Sequence, residues 1–163
     1  MSDDLNTLMK SKYNMKTFTH TPLLHQIPEV YTETINKNRF YVTPEGNKYP
    51  SITTVLSGRA KEGINAWRER VGEAAANRIM RAASSRGTAV HELAENYLNN
   101  DELVNQEVLP LFMFTQLKSE LDNINNIVMQ EGGLYSDNWG IAGRVDCIAD
   151  YDGKLTVIDF KTS

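Results

Sequence analysis

Apolar residues change their spacing along the 163-residue chain, and each change predicts a different element. Residues 1–38 keep no sustained period, and Pro22, Pro28 and scattered Thr, Asn and His positions favour an extended arm with at most a short frayed helix. Phe40-Tyr41-Val42-Thr43 and Lys48-Tyr49-Pro50 flank Pro44-Glu45-Gly46-Asn47, whose proline and glycine suit a type I turn, so a small hairpin is expected. Ser51 or Thr53 then stands where a short helix needs its N-cap. From Ile64 the apolar positions Trp67, Val71, Ala74, Ala75 and Ile79 recur at three and four, which predicts an amphipathic helix to about Ala83. Ser84 and Ser85 are N-cap candidates for a second helix. Its buried stripe is Val90, Leu93, Ala94, Tyr97 and Leu98, and Asn99-Asn100-Asp101 ends it. A third helix starts near Pro110 and buries Phe114, Leu117, Leu121, Ile124 and Val128. Gly132-Gly133 breaks that pattern. Strands are expected at about 133–136, 140–150 and 154–160, with tight turns at Asp137-Asn138 and Asp152-Gly153.

Composition narrows the class. With 40% hydrophobic and 23% charged residues, the chain fits one soluble domain with a core. Its first residues lack a signal-peptide pattern, and no apolar run reaches the ~18 residues a bilayer span needs. A cytoplasmic location, with no membrane partner, is the expectation. The single cysteine, Cys147, forms neither an internal disulfide nor a cysteine-based zinc site, so a metal would be held by His, Asp or Glu. Charge is uneven: residues 57–90 carry a balance of +4 in a chain of net −4, leaving −8 for the remainder. A basic segment beside a carboxylate-rich one fits a phosphate polymer held by the first and cut by metals in the second.

The candidate chemistry lies at the end of the chain. Strand periodicity puts Leu155, Val157, Asp159 and Lys161 on one face and Thr156, Ile158 and Phe160 on the other. The hairpin brings Asp146, within Gly143-Arg144-Val145-Asp146, close to Asp159. Two neighbouring carboxylates repel, and a divalent cation removes that cost. Taken alone, an Asp-x-Lys pair is usually a surface ion pair. On the helix Arg86-Gly87-Thr88-Ala89-Val90-His91-Glu92-Leu93-Ala94-Glu95, His91 stands at the edge of the apolar stripe, and Gly87 leaves room for a close ligand. A zinc-protease H-E-x-x-H reading fails because Glu95 replaces the second histidine.

These motifs resemble the PD-(D/E)xK nuclease superfamily, in its RecB-like branch with the mitochondrial genome-maintenance exonucleases and related bacteriophage exonucleases. The resemblance is carried by Tyr49-Pro50-Ser51-Ile52-Thr53-Thr54-Val55, the His91 helix, Glu131, Gly-Arg-Val-Asp at 143–146 and Ile-Asp-Phe-Lys-Thr-Ser at 158–163. It implies an α/β (α+β), restriction-endonuclease-like fold, helices followed by a small mixed sheet. Residues 1–48 would form an N-terminal arm and hairpin and residues 49–163 the nuclease core. The family continues past the Asp-x-Lys strand with a helix and a further strand, so the resemblance implies a core incomplete at its C-terminal end.

By the same resemblance His91, Asp146, Asp159 and the carbonyl of Phe160 are metal ligands, Lys161 is the catalytic lysine and Glu131 a supporting acid. The oxygen ligands suit Mg2+ or Mn2+, and an imidazole favours Mn2+. Ser51, Thr53, Thr54, Arg59, Arg68 and Arg86 are candidates for DNA contacts. The implied activity is metal-dependent exonucleolytic hydrolysis of DNA, single-stranded or with free ends, in replication, repair or recombination. The alternatives are a non-catalytic DNA-binding or regulatory fragment, or half of a split nuclease completed by a separate C-terminal polypeptide.

Overall fold

A computed structural model describes residues 15–23, 26–104 and 107–162, the side chain of Arg59 excepted. The first part of the N-terminal arm, residues 1–14, lies outside the described residues. The arm's remaining part begins the fold: Phe18 is buried among Tyr97, Phe114 and Ile127, and Thr21 N–H donates to the Ile127 carbonyl at 2.8 Å. The expected extended arm therefore serves as a core plug.

Two antiparallel sheets follow. β1 (Tyr31–Ile35) and β2 (Asn38–Val42) pair around Asn36-Lys37, both at positive φ (49° and 67°), a two-residue turn that matches strand twist. This strand was not expected, because neither turn residue is glycine. β2 also pairs with β3 (Lys48–Pro50), as the Pro44–Asn47 turn predicts. The Ser51 hydroxyl accepts from Thr54 N–H at 3.0 Å and caps α1 (Ile52–Val71).

The helices divide differently from the expectation. The break falls at Gly72, at φ 85° and ψ 145°, where a side chain is disfavoured. Ser84 and Ser85 lie inside α2 (Glu73–Leu98) and cap nothing. Glycine's conformational freedom outweighs the capping preference of the two serines. The buried stripe Val90, Leu93, Ala94, Tyr97 and Leu98 is as expected, and Asn99 caps the end.

α3 (Val108–Leu121) ends before Ile124 and Val128, which belong to β4 (Ile124–Ser136). The Asp122 carboxylate accepts from Tyr97 Oη at 2.6 Å and Lys118 Nζ at 2.7 Å. Lys16 Nζ donates to the carbonyls of Asp122 (2.8 Å) and Ile124 (2.6 Å). These bonds hold the chain at the point where it turns from helix to strand. Gly132 and Gly133 sit within β4, between Met129 and Val30 side chains that a Cβ would strike.

β4 pairs with β5 (Ile141–Tyr151), and β5 with β6 (Lys154–Ile158) through Asp152-Gly153, at φ 49° and 77°. The second sheet, in order β4-β5-β6, is antiparallel throughout and not mixed; isolated bridges at His20–Ile127 and Ser51–Ala142 supply parallel pairing. α2 and α3 cover one face around Leu93, Leu98, Phe114, Cys147 and Ala149. Among the described residues, no helix is long and apolar enough to cross a membrane.

Candidate metal centre

His91 from α2, Glu131 from β4 and Asp146 from β5 each offer a ligand atom, and the three atoms lie within 4.8 Å of one another. All three side chains are half-buried. The segment after β6 orders two of them. The Phe160 N–H donates to Asp146 Oδ2 at 2.7 Å, and His91 Nε2 lies 2.8 Å from the Phe160 carbonyl. A carbonyl only accepts, so Nε2 is the donor, and Nδ1, the nitrogen left to face a cation, lies 3.7 Å from Asp146 Oδ2. Two ligands about 2.1 Å from one cation span such a separation. An imidazole fixed through a backbone carbonyl is the usual arrangement of a metal-bound histidine.

Glu131 takes a left-handed backbone, φ 51°, inside its strand, a costly conformation for a side-chain-bearing residue. Arg144 Nε donates to both its carbonyl (2.8 Å) and its carboxylate (2.7 Å). Burial pushes the Glu131 carboxyl above the usual range. Asp146 and Glu95 push the same way, and Arg144 and His91 oppose them. A cation among these groups would relieve that crowding. One imidazole nitrogen and two carboxylates form a donor set that suits Mn2+ and accommodates Mg2+.

Asp159 stands apart from this cluster of three. Its carboxylate binds Lys161 Nζ at 2.6 and 2.8 Å, and both side chains are largely exposed. It does line one depression of about 350 Å³ together with Asp146 and Ile158. The Phe160 carbonyl meets His91 and is its hydrogen-bond acceptor. Gly87 has its space taken by the chain itself, since a Cβ there would approach Thr162 Oγ1 to 3.2 Å.

The candidate DNA contacts are dispersed. Ser51 is buried, and its hydroxyl bonds those of Thr53 (2.9 Å) and Thr54 (2.7 Å). Arg68 braces the α1–α2 corner, with Nη2 2.6 Å from both Glu73 and Asn77 and Nη1 3.1 Å from Met80 Sδ. Arg86 lies about 140° around α2 from His91. Arg59's side chain lies outside the described residues. Sequence reasoning left Arg144 without a role. Its signal was the position two residues before Asp146, cross-strand from Gly133 beside Glu131.

No family model matches the chain. Mitochondrial genome maintenance exonuclease 1 of Homo sapiens is 26% identical over 128 residues, covering 72% of this chain and 37% of the relative. That of Mus musculus is 28% identical over 127 residues, covering 72% and 38%. The chain thus spans less than two fifths of the length of these curated relatives, and the similarity is weak but points to a nuclease family.

Proposed function

We propose that the chain is the metal-binding part of a PD-(D/E)xK-type nuclease that hydrolyses DNA phosphodiester bonds, exonucleolytically, on strands that are single or have free ends. The observation that carries it is the convergence of His91, Glu131 and Asp146 from three separate elements. The relatives' name, a genome maintenance exonuclease, supports the reaction type. His91 Nδ1 and the carboxylates of Asp146 and Glu131 would hold Mg2+ or Mn2+, with Asp159 joining from its place beside Asp146. When bound, such a cation polarises the scissile phosphate and acidifies a water. The backbone N–H and carbonyl of Phe160 would keep Asp146 and His91 oriented for it, and Arg144 fixes Glu131. Lys161 Nζ, beside Asp159, would orient the attacking water or offset charge on the phosphoryl oxygens.

The test is cleavage of end-labelled single- and double-stranded DNA in Mn2+, Mg2+ or EDTA, with calorimetric titration of Mn2+. Asp146→Asn keeps an acceptor for the Phe160 N–H, so it should fold normally while losing at least ~100-fold in rate, about 2.7 kcal/mol of barrier. Cleavage that survives EDTA, or an unchanged rate in Asp146→Asn, would overturn the assignment.

One observation favours a second reading, that turnover requires a separate polypeptide. Leu155 is 71% exposed and Val157 69%, an apolar strand face beside Asp159 with no covering element among the described residues. Metal binding without cleavage by the isolated chain would support it.

A further inference from the structure

α2 carries a second pattern that the metal centre does not use. Asn77, Arg81, Ser84, Thr88, His91 and Glu95 succeed one another at intervals of four, three, four, three and four, so they form one straight ridge on the helix. The ridge runs from the corner that Arg68 ties to Asn77 down to the metal centre, roughly 15 Å from Arg81 to His91. Arg81, Ser84 and Thr88 are exposed, and Arg81 has no ion-pair partner among the described residues.

Charge along α2 is graded. Between Glu73 and Glu92 the helix holds three arginines and no carboxylate. At its lower end a cleft of about 480 Å³ is lined by Gly87, Thr88, His91, Glu92, Glu95 and Glu131. Acid at the foot suits cations. A guanidinium and two hydroxyls above it suit the oxygens of a polyanion that those cations would contact.

We propose that Arg81, Ser84 and Thr88 are the phosphate track that leads a DNA strand to the His91 centre. This rests on the nuclease reading and adds the residues that hold the strand, none of which is among the contacts expected from sequence. The track separates the arginines by role: Arg68 braces the helix corner, Arg86 faces away, and Arg81 meets substrate.

The experiment is anisotropy titration of a labelled single-stranded oligonucleotide between 50 and 200 mM salt in Ca2+, alongside cleavage kinetics in Mn2+. Arg81→Gln should lower the salt slope by about 0.7, the value of one single-strand phosphate contact, and raise KM. Ser84→Ala with Thr88→Val should weaken binding several-fold with the slope unchanged, since neutral donors release no counterion. Arg86→Gln, about 140° around the helix from Arg81, should leave the slope as in the unaltered chain. Thermal melts check that these substitutions leave the fold intact. If the unaltered chain cleaves but Arg81→Gln keeps its slope and KM, or Arg86→Gln loses as much as Arg81→Gln, the track is wrong and the nuclease reading stands. If the unaltered chain neither binds nor cleaves any oligonucleotide, both fall together.

Discussion

The two halves of α2 are one uninterrupted helix with opposite surroundings. From Val90 to Leu98 every third or fourth side chain is at most 1% exposed, packed between α3 and the second sheet. From Glu73 to Ala89 only Ala76 is buried, and Ile79 and Met80 are 48% and 44% exposed. Both halves are periodic in sequence. The difference teaches that a helical period specifies a helix and a face, whereas burial also needs something opposite that face. The upper half has α1, held at the Arg68 corner, and Thr162 beside Gly87. It stays helical through its alanines and its continuity with the packed half.

The contrast is most easily broken by paired truncations. Leu93→Ala should cost about 3 kcal/mol, in the range for a fully buried leucine, and Ile79→Ala less than about 1 kcal/mol, both read from denaturant unfolding. Equal losses would mean that the upper half is covered in solution.

A pH scan sharpens the same contrast. Cys147, under the packed half, has its thiol pushed up by burial from 9.0 to about 11. Between those values the unfolded chain ionises while the folded one does not. Its contribution to stability is therefore complete below pH 9 and lost as pH rises toward 11. Melting temperature should fall through that window and fall less in Cys147→Ala.

The smallest effect belongs to the corner. Gly72→Ala forces a side chain into φ 85° and should cost about 1 kcal/mol, with the loss of protection measured by hydrogen exchange confined to residues near the α1–α2 junction. Loss spread into Val90–Leu98 would show that the halves are one cooperative unit.

These elements also mark where the sequence was legible. The Pro44–Asn47 and Asp152-Gly153 turns announce their hairpins because their residues prefer the backbone those turns need. The stripe from Val90 to Leu98 was readable because packing enforces it. The β1–β2 turn was not, since Asn36-Lys37 adopts positive φ without a glycine. β4 was misplaced because Phe114, Leu117, Leu121, Ile124 and Val128 continue at helical intervals, and the distant partners Lys16 and Tyr97 join Lys118 in holding the chain where the helix stops. At the site, His91 and Asp146 stood out by type and Glu131 only through the resemblance, and the three lie together. The Asp159–Lys161 pair was legible from the strand period, whereas Glu131's left-handed backbone and its bonds to Arg144 are tertiary facts without a local signature.

One residue holds two of the centre's side chains from neighbouring peptide planes. The N–H of Phe160, in the plane it shares with Asp159, holds Asp146, and its carbonyl, in the plane it shares with Lys161, holds His91, so the φ and ψ of a single residue set both directions. Either plane can turn without the other, so one donor can be lost while its partner stays aligned. Phe160 thus works as a pin: seated in the core and 5% exposed, it fixes the backbone from which both alignments are taken.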